Sequence, residues 1–82
     1  MIIFYDKTGN IVGTIDGRIH DEAQLKMWIG EGTERIVCQW EQNERGEYEP
    51  SIQKEIFTQL DSGERKPQDF KVNPQTKELE LL

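Results

Sequence analysis

The stretch Met1-Ile2-Ile3-Phe4-Tyr5-Asp6-Lys7-Thr8-Gly9-Asn10-Ile11-Val12-Gly13-Thr14-Ile15 decides the fold. Two runs rich in β-branched and aromatic side chains flank a short polar segment, which is the pattern of a β-hairpin. Asp6 suits the first position of a type I turn, and Gly9 can take the left-handed conformation that a following bulge needs. Successive side chains of a strand alternate in direction, so Ile2 and Phe4 share one face and Ile3 and Tyr5 the other. Apolar residues on both faces make this strand central or covered.

Outward from the hairpin, Asp21 is placed to cap a short helix, with Gln24 three residues on to complete a capping box. Leu25, Trp28 and Ile29 stand at helical spacing, and Gly30 is placed to end the element. The sequence therefore predicts a helix of about two turns, held by packing Trp28 on the sheet. Arg35 through Glu41 alternates, with Ile36, Cys38 and Trp40 on one side, and reads as a half-buried strand. Asn43-Glu44-Arg45-Gly46-Glu47 reads as a polar, mobile connection. Pro50 is suited to the first position of a helix from about Ser51 to Asp61, carrying Ile52, Ile56, Phe57 and Leu60 and closed by Ser62-Gly63. Pro67 bars its continuation. Phe70 and Val72, then Leu79 and Leu81, form a second hairpin around Asn73-Pro74-Gln75-Thr76-Lys77.

The expected fold is thus α+β, in the order ββαβαββ. A small antiparallel sheet from two terminal hairpins and a central strand is joined by two short helices. At 82 residues the chain is read as one domain, 1–82. Its hydrophobic fraction of 34% against 32% charged residues leaves a small core.

Charge and composition exclude several functions. A net charge of −6, with bases scattered among acids, disfavours direct nucleic-acid binding. A single cysteine, Cys38, rules out an internal disulfide and a cysteine metal cluster. No secretory or membrane-spanning apolar run is present. The expected location is the cytoplasm, or a particle assembled inside a cell.

No residue pattern argues for catalysis, a metal, a cofactor or a small-molecule substrate. His20-Asp21-Glu22 combines an imidazole with two carboxylates, but neighbouring residues at a helix start diverge, and Asp21 already serves as a cap. Cys38 lies on an apolar strand face, where a thiol acts as a small hydrophobe. Gly30-Glu31-Gly32 leaves a helix instead of leading into one, so it is no phosphate cradle. The Glu47/Glu49 and Glu78/Glu80 pairs read as solvated strand faces.

What remains points to contacts with protein. Trp28 and Trp40 are expected inside. Tyr48, in an acidic stretch without apolar partners, is the expected exposed aromatic contact. The apolar end carried by Leu79, Leu81 and Leu82 suits docking on a neighbour, and sheet edges can accept another strand. The leading expectation is a non-enzymatic interaction or assembly module that binds a protein partner or itself, for example a minor component of a virion or mobile element. The alternative is an acidic inhibitor or nucleic-acid mimic occupying a basic groove. A third reading is a small enzyme subunit using His20 and Cys38.

Overall fold

A computed structural model describes residues 1–82. The fold is α+β, with antiparallel strands throughout. The strands are β1 (Ile2–Asp6), β2 (Ile11–Ile15), β3 (Thr33–Val37), β4 (Trp40–Gln42), β5 (Tyr48–Pro50), β6 (Phe70–Asn73) and β7 (Glu78–Leu81). The helices are α1 (Glu22–Leu25) and α2 (Lys54–Ser62), and a 3-10 turn spans Pro67–Asp69. Strands β2-β1-β3 form one sheet, while β4-β5 and β6-β7 form two separate hairpins.

The opening hairpin forms as its residues dictate. Asp6 Oδ1 accepts from the amides of Thr8 and Asn10 and from the Thr8 hydroxyl, which fixes the turn. Gly9 has φ +90°, and the register shifts between Phe4 and Tyr5 so that Val12 forms a bulge. β1 is the central strand, and Ile2 through Tyr5 are all buried. Ile3 and Tyr5 face the main core, together with Ile36, Cys38, Trp40, Phe57, Leu60, Phe70, Val72 and Leu79. Ile2 and Phe4 are buried on the opposite face. The segment after β2 is held by Trp40 N, which donates to Arg18 O, and by Met1 N, which donates to Gly17 O.

Three local expectations are corrected. First, α1 keeps its capping box, with Gln24 N on Asp21 Oδ1 at 2.8 Å and Asp21 N on Gln24 Oε1 at 3.2 Å. It nevertheless stops at Leu25. The Arg35 guanidinium donates to the carbonyls of Leu25 and Met27, which a longer helix would need as its own acceptors. Trp28 therefore never joins a helical stripe against the sheet and stands exposed.

Second, the strand expected over Arg35–Glu41 divides into β3 and β4, and Asn43–Glu47 is an ordered turn that adds β5. Asn43 Oδ1 accepts from the amides of Arg45 and Glu47, and Gly46 takes φ +80°. Third, Pro50 closes β5 opposite Trp40 instead of opening a helix. Ser51 N continues the pairing onto Gln39 O, and the chain then turns at Gln53 before α2 begins.

Gln53 lies in the left-handed region, at φ 38° and ψ 58°. For a residue with a Cβ that conformation costs on the order of 1 kcal/mol. Its side chain supplies a compensation, because Nε2 donates to Leu79 O and Oε1 accepts from Leu79 N, both at 2.9 Å. α2 then presents Phe57 and Leu60 to the core and ends at Gly63 in the left-handed conformation. No helix is long and apolar enough to cross a membrane.

Candidate interaction surface

β3 pairs with β1 along one side only, so its other side is an edge of the three-stranded sheet. Cys38 N bonds Met1 O and Met1 N bonds Cys38 O, which sets the alternation of the ladder. Ile36 and Glu34 therefore bond toward β1, and Thr33, Arg35 and Val37 direct their backbone groups outward. Thr33 N is satisfied by Gly30 O. The outward N–H and C=O groups of Arg35 and Val37 have no strand beside them, which is the arrangement that accepts an added strand.

An exposed apolar segment borders this edge. Arg35 holds the backbone of Leu25 and Met27 through its guanidinium, which also lies 5.9 Å from the centre of the Phe4 ring. The next residue, Trp28, is 82% exposed, and Met27 is exposed beside it. Trp28 thus follows a backbone held at Met27, and tryptophan is among the residue types enriched in the side chains that dominate interface energetics.

The residues singled out from sequence are dispersed. Tyr48 is 50% exposed on β5, opposite Gln42. It sits on an acidic hairpin where Glu41 faces Glu49 directly. Lys54 Nζ approaches Glu49 Oε1 to 2.8 Å, and that hydrogen bond holds the Glu49 carboxyl below its ordinary value. Leu81 and Leu82, at 53% and 80% exposure, project from the end of β7. Leu79 is buried in the core beside Val72, so it is not available to a partner.

His20 and Cys38 are both buried, and no hydrogen bond joins them. The Cys38 thiol lies 3.9 Å from Ile52 O. The His20 backbone is clasped by the Gln39 carboxamide, which accepts from His20 N and donates to His20 O. His20 Nδ1 faces Gln24 Oε1 at 3.3 Å, while Nε2 is buried without a partner. No three His, Cys, Asp or Glu side chains gather around one point.

A cleft of about 350 Å³ lies between Gly17, Trp40 and the end of α2. Arg18 bridges two of its lining residues, 4.2 Å from the Trp40 ring centre and forked onto Asp61. The arrangement ties α2 to the segment after β2.

The architecture defines a small α+β protein built from three hairpins, with the unpaired β3 edge near an exposed tryptophan. No protein-family model, curated protein or solved structure matches this chain.

Proposed function

We propose that this chain is a non-enzymatic interaction module, and that it binds protein through the β3 edge and the adjoining Trp28. The observation behind this reading is the 82% exposure of Trp28 next to unpaired backbone groups of a sheet. Main-chain hydrogen bonds along β3 would supply affinity, and a pocket on the partner that receives the indole would supply selectivity. Met27 and Val37 would widen the apolar contact. The groups that nucleophilic chemistry would need, Cys38 and His20, are buried apart from each other's hydrogen-bonding reach and serve packing. The unpaired thiol suits a reducing interior.

The acidic-inhibitor alternative has less behind it. Glu22, Glu47, Glu49 and Asp61 are each paired with a base, so these four carboxylates do not belong to an uncompensated acidic stripe.

The test is the solution mass across a range of concentrations for the wild-type chain and for Trp28→Asp. Where the module binds itself, the oligomer of the wild type reverts to monomer in the variant. An oligomer that Trp28→Asp leaves unchanged contradicts self-association through this face. For a monomeric wild type, a photo-reactive side chain at position 28 then reports whether this face meets another protein.

A further inference from the structure

We propose that Gln53 guards the outer edge of β7, its carboxamide occupying the rung on which the β7 strand of a second copy would otherwise pair. This inference concerns a different edge from β3 and stands apart from the reading of Trp28.

The geometry begins with which rungs face outward. Val72 N bonds Gly9 O, away from β7, and Leu82 N bonds Asp69 O, toward β6. By the alternation of an antiparallel pair, Glu78 and Glu80 bond to β6, while Leu79 and Leu81 direct their backbone groups outward. Gln53 bonds both outward groups of Leu79, donor to acceptor and acceptor to donor. This is the bonding that an added strand would make at the same rung. To reach it, Gln53 holds a left-handed backbone that glycine would adopt more readily. A glycine there would ease the turn and leave the rung bare.

The excluded occupant is a second β7. An antiparallel two-fold pairing with Leu79 facing Leu81 of the other copy matches outward rungs to outward rungs. It also lays leucine against leucine on one face, extending the exposed end made by Leu81 and Leu82. The same register sets Glu80 opposite Glu80 of the other copy, so like charge is a second barrier to this pairing. Asn73 Nδ2 donates to Glu80 Oε1, a contact that a glutamine carbonyl can also accept.

The test compares the wild type, Gln53→Ala, Glu80→Gln and the double variant, by light scattering over a hundredfold concentration range and by amide exchange at Leu79. The expected result is exchange at Leu79 at least tenfold faster in both chains lacking Gln53. The double variant should reach a higher mass at lower concentration than the other three. Adding Leu81→Pro to the double variant removes an outward N–H, and the mass should return to the wild-type value. Leu79 exchange unchanged by Gln53→Ala would overturn the proposal. So would a double variant with a bared Leu79 amide and an unaltered mass, or a mass increase that Leu81→Pro leaves in place.

Discussion

Gly9 and Val72 meet backbone to backbone: Val72 N donates to Gly9 O at 2.8 Å, and a Cβ on Gly9 would stand 2.0 Å from Val72 O. The turn of the first hairpin thus rests directly on β6, joining the two ends of the chain in one core. Gly9 is required twice, by its φ of +90° and by the lack of room. Gly9→Ala should cost more than about 3 kcal/mol, since it combines a forced backbone with a clash that only movement of β6 relieves. Gly63→Ala provides the comparison, because Gly63 has φ +81° but open space around it. Its cost should be about 1 kcal/mol. Urea unfolding of both variants measures the difference.

The two tryptophans should separate cleanly. Trp28→Ala should change stability by no more than about 0.5 kcal/mol, as exposed substitutions do. Trp40→Ala should cost about 3–5 kcal/mol, because Trp40 is buried in the core beneath Arg18. Iodide quenching of each single-tryptophan protein, the other position carrying Phe, checks the same assignment: Trp28 should be quenched strongly and Trp40 weakly.

Arg35→Gln should loosen the segment around α1 without unfolding the sheet. The guanidinium bonds to Leu25 O and Met27 O hold that segment, and hydrogen bonds from a charged group contribute about 2 kcal/mol. Amide exchange across residues 21–29 should speed up, while β1 amides remain protected. Equal acceleration in β1 would show that the segment and the sheet open together.

Asp6 gives a pH dependence of known sign. The Thr8 hydroxyl, with the amides of Asn10 and Thr8, holds its carboxyl below the ordinary value of 3.8. A carboxylate depressed in the folded state stabilises it fully above that ordinary value, and the contribution is lost as pH falls through the lower folded value. Asp6→Ala should therefore lower stability at neutral pH and flatten the acid side of the stability profile. Thermal unfolding between pH 2 and 6 follows this, and parallel profiles for variant and wild type would refute it.

Local chemistry made much of this fold legible. Both terminal hairpins, the Asp21–Gln24 capping box and the Gly63 stop follow from residues adjacent in sequence, and all are present. Polarity alone reads Asn43–Glu47 as a mobile connection, and the third hairpin went unexpected. Asn43-Glu44-Arg45-Gly46 repeats the pattern of Asp6-Lys7-Thr8-Gly9, with the same side-chain acceptor and the same positive φ three residues later. Its short, acidic strands lack the β-branched residues that make the first hairpin conspicuous.

The end of α1 was not legible in this way. It depends on Arg35, ten residues beyond Leu25, and side-chain spacing within a helix says nothing about a distant guanidinium. The exposure of Trp28 follows from that contact, so the surface proposed to bind protein was hidden for the same reason. Alternation placed Leu79 and Leu81 on one face, but it does not tell where a strand outruns the core. Leu79 is covered and Leu81 is not.

The central claim is that the face carrying Trp28 meets protein. The most direct measurement places a photo-reactive phenylalanine at position 28 of the full chain in its native cells, with Gln68, also exposed, as the control position. The account predicts discrete cross-linked products at position 28, weakened by Arg35→Gln, and none at position 68. No discrete product at 28, or the same products from both positions, would contradict it.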